Sequence, residues 1–543
     1  MAKQKTTFLI LMSIFLLALF LRVFQLGKTP SGFHADEASF YINAVSIAKT
    51  AADEDGRSLP LSLYSLIDPK PAVYSYLQVP FLQISSDYIF NSRIPAVILS
   101  IFSLLVLYLL VQKLANRQVA VLTTAVVALS PWHIMVTRGT QEVIASFLFL
   151  VLSLYLLVKV LENKKHSIIN LFLLFTASFL SMYFYHSAKV LLPLLAFGLV
   201  TYFYKKSKEF YKQGFLTVCI VLFAVFTAFF VQESGSRIKA VGILSDKAPM
   251  QHLTEQIYTL HRELPIFVVR VFYNKIQAYA TAFSTEYLVY FSPDFLFLNG
   301  GKPHRYIVPD HGLLYLIELP LFLIGLYSAI RSKNREYLLF LGVLIISPIP
   351  AALTTLETPS IIRSFPMILG FAYFIALGLL QIYKLTPLFF RYAVLLLVAG
   401  VYIWQVQYFL IQYHIQAKYD QPWYRNNPYT EIAQAVAKIH TDYSQVTVTN
   451  DLRPLYAYFV IEGLISIEEL QQNPHARDEE SYALGKFSFN RDVCSFPDLV
   501  PGVLYIAETT CRQTRNEMKN LEVVAVISYP DGAAVYELLQ VSE

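Results

Sequence analysis

Two adjacent carboxylates, Asp36 and Glu37, stand in the run Gly32-Phe33-His34-Ala35-Asp36-Glu37-Ala38-Ser39-Phe40-Tyr41, just after the first long apolar stretch ends. Neighbouring side chains do not share a helix face, so the two acids must address different partners. One can take a proton from a reacting hydroxyl while the other orders the loop or holds a cation. The plain alternative is an acidic helix start, which the helix dipole favours. A wider set of polar residues decides between these readings. Lys70, Arg93, Arg138, Glu142, His186, Lys189 and Arg363 all sit at the ends of apolar runs or in the connections between them. For a single Lys or Arg at such a place the plain reading is snorkelling to the membrane surface. Arg138 and Glu142, four apart, could equally form a structural pair on a helix face.

The chain that must position these residues is 543 long, with 55% apolar and only 15% charged residues. A soluble protein carries nearer a quarter charged residues, so the composition indicates an α-helical polytopic membrane protein. A β-barrel would show short alternating segments instead. The net charge of +5 reads as topology and not as a nucleic-acid footprint. A spanning helix needs about 20 mostly apolar residues. About eleven runs qualify, near 8–26, 93–112, 118–136, 142–161, 168–185, 188–204, 214–231, 313–330, 336–353, 364–383 and 388–408. The first lacks a small-residue cleavage site and reads as an uncleaved anchor. Lys3 and Lys5 place the N-terminus in the cytoplasm of a cell membrane, and alternation then puts every short basic loop on the same side. Those loops carry Lys113 and Arg117, Lys164 and Lys165, Lys205, Lys206 and Lys208, Arg331, Lys333 and Arg335, and Lys384 and Arg391.

On the other side lie an outer loop at 27–92, two short loops around Arg138 and His186, a long loop at 232–312 that reads as a lid, and the loop carrying Arg363. An odd number of crossings also leaves the C-terminal part outside. Ala35–Thr50 and Pro71–Ile84 have the pattern of amphipathic interfacial helices, joined through a solvated turn, Ala52 to Ser58. The expected domains are therefore 1–410 in the membrane and 420–543 as a soluble extracytoplasmic α/β domain. Strand-like runs fall at 445–449, 503–507, 523–528 and 534–538, and no catalytic motif is visible there. Cys494 and Cys511 lie in this domain and can pair if it faces an oxidising compartment.

Charge is costly at membrane depth, and the positive-inside rule disfavours so many outer cations as decoration. Cations beside carboxylates suit a phosphorylated lipid: Lys and Arg hold the phosphate, and a carboxylate serves as base for an acceptor hydroxyl. His133 and His186 have no partner at metal-ligand spacing. There is no GxGxxG, P-loop or nucleophile elbow, so a soluble nucleotide site is unsupported.

Several stretches together carry a family resemblance. They are the acidic pair Asp36-Glu37, Asp68-Pro69-Lys70-Pro71-Ala72-Val73-Tyr74-Ser75-Tyr76, Arg93-Ile94-Pro95, Ser130-Pro131-Trp132-His133 and Tyr185-His186-Ser187-Ala188-Lys189. In this order the chain, over 8–410, resembles the integral-membrane glycosyltransferases of the GT-C class. More narrowly it is similar to the superfamily of protein O-mannosyltransferases and aminoarabinose transferases. The resemblance implies a GT-C fold, a polyprenyl-phosphate-linked sugar donor and an inverting transfer that needs no cofactor and no metal. The acceptor would be a protein, a lipid or a glycan. It makes Asp36 the general base and Glu37 its neighbour in acceptor or loop ordering. Lys70, Arg93, His186 and Lys189 would meet the donor phosphate, with Arg138, Glu142 and Arg363 as further site candidates. Ala72 departs from the family's second Pro, and Glu142 from its more usual Asp. A transporter or flippase of lipid-linked saccharides would use the same outer cations without a base.

Overall fold

The apolar runs form helices because they have no water to bond their backbone groups inside a bilayer, and a helix satisfies those groups within itself. The computed structural model describes residues 2–66, 68–162, 167–206, 211–232, 242–332, 335–449, 454–474, 477, 479–492, 494–496 and 499–542. Of the inner basic residues, Lys164, Lys165, Lys208 and Lys333 lie outside these. Among the described residues six helices are long and apolar enough to cross a membrane: Lys5–Val23, Tyr88–Leu114, Glu142–Glu162, Gly214–Val231, Met367–Leu385 and Leu388–Lys418. Arg117–Leu129 and Pro131–Thr137 pass the same test together as a pair bent by 58°, a broken span or a re-entrant loop. The bend follows from Pro131, which lacks an N–H and forces the preceding Ser130 out of the helical region, to φ −60°, ψ 130°. The runs near 168–185, 188–204 and 336–353 appear as shorter apolar helices, Ile168–Phe184, Ala188–Tyr202 and Tyr337–Ala352. The run near 313–330 gives the 14-residue helix Glu318–Arg331. The chain is a multi-pass membrane protein.

Residues group into two compact units. The first contains Met1–Phe24, Ala96–Thr137 and Gln141–Gln412. Small residues let its helices approach closely. A Cβ on Gly325 would lie 1.8 Å from the Phe374 carbonyl oxygen, and one on Gly378 1.9 Å from that of Leu321. Glu318–Arg331 and Met367–Leu385 therefore touch backbone to backbone, as small residues permit in membranes. Arg22 is fully buried here. Its guanidinium donates to the carbonyls of Ala18 and Ala128, both at 3.0 Å, and lies 2.7 Å from His133 Nδ1. The long loop is largely helical where it is described, with Ala248–Leu260, Ile266–Phe272 and Lys275–Val289.

The second unit contains Gln25–Pro95, Arg138–Thr140 and Tyr413–Glu543. A two-stranded ribbon pairs β1 (Ser62–Ser65) with β2 (Asp68–Pro71), Leu63 opposite Lys70. Six further strands form one sheet: β3 (Gln445–Val448), β4 (Ser481–Leu484), β5 (Phe487–Asn490), β6 (Val503–Glu508), β7 (Leu521–Ser528) and β8 (Ala534–Val541). Their order is β4-β5-β3-β6-β8-β7, with β3 parallel to both neighbours and the other pairs antiparallel. The hairpin β4–β5 was not visible in the sequence. Helix Tyr429–Ile439 buries Ile432, Ala433 and Val436 against one face. On the other face Cys494 and Cys511 form a disulfide, and Cys511 packs with Tyr505 and Leu539.

Two expectations for the first loop need correction. Helix Ala35–Thr50 forms over the expected residues, but it is no one-sided surface helix. Every residue from Ala35 to Ala44 is buried except Asp36, and Ala38, Tyr41 and Ile42 belong to the same core as Val446 and Leu455. The turn after it is solvated only in its second half, Gly56 to Ser58. Asp53, Glu54 and Asp55 are 1%, 0% and 8% exposed. A buried acid needs partners, and these were distant in sequence. Arg477 donates to Glu54 Oε2 at 2.9 Å and to Asp55, Tyr456 donates to Glu54 Oε2 at 2.9 Å, and Asn43 Nδ2 donates to Glu54 Oε1 at 3.2 Å. Asp53 Oδ1 accepts the N–H groups of Asp55 and Arg57, while its buried Oδ2 has no partner among the described residues. Burial raises the Asp53 carboxyl above its ordinary value.

A folded pKa above the unfolded one means that the group favours folding at low pH and loses that contribution as pH rises through the folded value. Asp53→Asn keeps the acceptor oxygen and removes the charge. It should raise the thermal midpoint at neutral pH and flatten the pH dependence of stability above about pH 4. A lower midpoint at neutral pH would show that the charge itself is needed.

Candidate functional site

The helix start at His34 fixes the geometry of both acids. His34 is the N-cap, in an extended conformation, and its Nδ1 accepts the Asp36 N–H at 3.1 Å. Glu37, three residues on, reaches back to accept the His34 N–H at 3.2 Å. This is a capping box with His in place of the usual Ser or Thr. Asn426 Oδ1 accepts the Ala35 N–H at 2.8 Å. The Asp36 carboxylate also lies 3.5 Å from His34 Nδ1. That nitrogen is already accepting a hydrogen bond, so we read the contact as proximity and not as an ion pair.

Glu37 turns inward and is consumed by the fold. Oε1 accepts from Arg93 Nε at 2.9 Å and from the Thr140 N–H at 2.9 Å, and Oε2 accepts from Arg93 Nη2 at 2.8 Å. Arg93 donates in addition to the carbonyls of Leu26, Pro30 and Gly32, at 3.1, 2.9 and 2.7 Å. These bonds use all five guanidinium donors. Burial would raise the Glu37 carboxyl, but the Arg93 charge and the bonds from Arg93, Thr140 and His34 outweigh it and hold it below its ordinary value. Arg93 was expected to meet a lipid phosphate. In this structure it has no donor left for one, and it ties residues 26–37 together instead. Arg138 joins that work, donating to the Thr29 carbonyl at 2.9 Å with its guanidinium over the Tyr413 ring.

Asp36 points the other way. Its side chain is 31% exposed, against 5% for Glu37, 6% for Lys70 and 1% for Arg93. Of the adjacent acids it alone is open to a molecule from outside. Lys70, delivered by β2, donates to Asp36 Oδ1 at 2.7 Å, lies 3.4 Å from Ser39 Oγ and sits over the Phe40 ring. Ser39 in turn bonds Ser65 of β1 at 2.6 Å. Among the described residues these contacts account for two of the three ammonium protons.

The second unit thus brings together Asp36, Glu37, Lys70, Arg93 and Arg138. The remaining expected residues belong to the first unit. There Lys189 Nζ lies 3.2 Å from His186 Nδ1 and over the Phe229 ring, at the start of helix Ala188–Lys206. Glu142 opens helix Glu142–Glu162. Arg363 donates to Thr354 Oγ1 at 3.0 Å and to the Leu356 carbonyl. His34, Ser39 and Thr140 are additions. The spacing of His34 to Glu37 signals its cap in the sequence, whereas nothing local signals the Thr140 N–H.

Comparison with solved structures places this architecture. ArnT from Cupriavidus metallidurans bound to undecaprenyl phosphate superposes with a TM-score of 0.56 over 99% of this chain and 98% of that one, at 11% identity. The fold is that of the GT-C glycosyltransferases. The oligosaccharyltransferase of Archaeoglobus fulgidus, tethered with an acceptor peptide, matches with a TM-score of 0.51 over 98% of this chain and 74% of that one, at 12% identity. A second structure from that organism, the oligosaccharyltransferase AglB in complex with an inhibitory peptide and a dolichol-phosphate, gives a TM-score of 0.49 at 12% identity, over 85% of this chain. The chain spans 64% of the length of that protein. Residues 69–229 match the family model described as dolichyl-phosphate-mannose-protein mannosyltransferase. No curated protein matches the sequence.

Removing one partner of a buried ion pair strands the other charge and costs about 3–5 kcal/mol. Glu37→Gln and Arg93→Met should each destabilise the protein by about that much, read as a loss of the folded fraction in detergent. Because the folded pKa of Glu37 lies below 4.5, its contribution is present above the unfolded value and is lost as pH falls through the folded one. Acid-induced unfolding should therefore be less steep in Glu37→Gln than in wild type. Equal steepness would place the acid-sensitive group elsewhere.

Proposed function

We propose that the protein transfers a sugar from a polyprenyl-phosphate-linked donor to a hydroxyl acceptor on the outer face of the membrane, with inversion and without a metal. The observation that carries this is the pairing of one accessible carboxylate, Asp36, with a buried ammonium, Lys70, at 2.7 Å. It is supported by the GT-C fold and by the family match over 69–229, which includes Lys70. Of the structural neighbours, ArnT is bound to undecaprenyl phosphate and the oligosaccharyltransferase is tethered with an acceptor peptide. The disulfide Cys494–Cys511 accords with an oxidising, extracytoplasmic setting for the C-terminal residues. The acceptor is a protein, a lipid or a glycan.

In an in-line displacement the base and the leaving group lie on opposite faces of the anomeric carbon. Lys70 cannot serve both at once. On this reading the Asp36–Lys70 pair is the resting state. The donor phosphate takes the Lys70 ammonium, whose charge stabilises the negative charge that develops as phosphate departs. Asp36, released from the pair, accepts the proton of the acceptor hydroxyl as its oxygen bonds to the anomeric carbon. The anomeric carbon–oxygen bond to phosphate breaks, its electron pair stays on the phosphate, and polyprenyl phosphate leaves.

Loss of a general base costs about 10²- to 10⁴-fold. Asp36→Asn should lose transfer by that factor and keep its affinity for the donor lipid, measured with a panel of radiolabelled polyprenyl-phosphate sugars. Lys70→Met removes a charge-assisted hydrogen bond and should weaken binding of the lipid phosphate by about 10- to 100-fold. Wild-type turnover should survive EDTA. Wild-type rates in Asp36→Asn would sink the assignment, and donor binding without turnover across an acceptor panel would favour a transporter.

A further inference from the structure

Polar side chains of the sheet-bearing C-terminal residues converge on one helix of the first loop, Ala35–Thr50, whose first turn carries Asp36. At its N-terminal end, Tyr458 Oη donates to the carbonyl of Phe33, one residue before the cap, and the two rings meet edge to face at 6.3 Å. At its C-terminal end, Gln471 Nε2 lies within hydrogen-bond distance of Ser46 Oγ, Thr50 Oγ1 and the Asp53 carbonyl, at 2.9, 2.8 and 2.9 Å. An amide has two protons, so these three acceptors share them. Beyond the helix, Arg477 and Tyr456 hold Glu54. Asn43 folds Glu54 back alongside the middle of the helix, exchanging a bond in each direction. Tyr456 and Tyr458 sit two apart on helix Leu455–Ile461. That spacing sends them to different sides, one toward each end of the clasped helix.

We infer that the C-terminal domain acts as a clasp that sets the position of Asp36, with Tyr458 and Arg477 as positioning residues for transfer. Four features distinguish a clasp from ordinary packing. The bonds are polar and directional. They fall at both ends of a single helix. They come from one short helix and the segment that follows it. They include an ion pair from Arg477 to two buried acids of the following turn, Glu54 and Asp55. Asp36 is the one residue between Ala35 and Ala44 that is not buried, its side chain being 31% exposed. The reach of its carboxylate therefore depends on where the clasp holds the helix. A misplacement of about 1 Å at a reacting group can cost about 100-fold in rate.

This inference rests on Asp36 being the base, so its test needs a readout that does not. Tyr458→Phe deletes the bond to Phe33 and keeps the ring, and Arg477→Met deletes the ion pair. Hydrogen–deuterium exchange on the full-length protein in detergent should quicken in the segment 33–50 in both variants and stay unchanged in the membrane helices. Tyr458→Phe, the milder change, should fold with a midpoint near wild type. With polyprenyl-phosphate sugar as substrate, it should lower kcat about 10- to 100-fold while KM for the donor is unchanged. Binding of undecaprenyl phosphate should match wild type. Unchanged exchange at 33–50 would overturn the clasp. Faster exchange there with unchanged kcat would overturn the positioning role. A wild-type protein that turns over no polyprenyl-phosphate sugar would count against the proposed reaction, and the exchange experiment would still decide the clasp.

Discussion

The candidate site depends on one buried ion pair, Glu37 with Arg93. Burying two charges costs several kcal/mol per ion, and attraction offsets that only when the remaining lone pairs and protons are satisfied. Here they are. Glu37 accepts from Arg93 twice, from Thr140 and from His34. Arg93 closes three further carbonyls of the segment 26–32. The segment that leads into helix Ala35–Thr50 has no regular structure, so without this clamp its backbone carbonyls would have to find other partners. With it, the helix begins at a fixed residue in a fixed direction, and the acid beside Glu37 faces outward. Two adjacent carboxylates acquire opposite roles because one residue step along a helix turns the side chain by about 100°.

The same constraint explains why the two lysine- and arginine-based expectations came apart. Lys70 and Arg93 both looked like phosphate ligands, since both are cations near the acidic pair. The structure separates them by their bonds. Arg93 has a planar fork that matches a carboxylate and a ring of carbonyls, and every arm of it is used. Lys70 is a point charge on a ribbon strand, with an exchangeable partner in Asp36. A site that must bind, release and rebind an anion calls for the second kind of cation.

Much of this was legible in the residues. The apolar runs marked the membrane helices, and the helix Ala35–Thr50 and the strands β3, β6, β7 and β8 stood out by period and composition. What escaped was set by partners far away in sequence. The turn Asp53-Glu54-Asp55 reads as solvated because acids beside Gly usually are, and partners over 400 residues on, Arg477 and Tyr456 among them, help make it a buried element. Helix Ala35–Thr50 looked one-sided because its second face buries polar residues, Ser39, Asn43 and Ser46, which periodicity counts as surface. The hairpin β4–β5 is short and flanked by charged residues, so nothing local raised it above a loop.

Of the adjacent acids, Asp36 is the carboxylate open to substrate on this reading, and Glu37 is sealed away from it. A single base permits direct displacement and no covalent sugar–enzyme intermediate. The most direct test is the anomeric configuration of the product, determined by NMR after transfer from a polyprenyl-phosphate sugar of defined configuration. Inversion is the expected result. Retention would require a second carboxylate acting as nucleophile about 5 Å from the first, and would contradict the division of labour between Asp36 and Glu37.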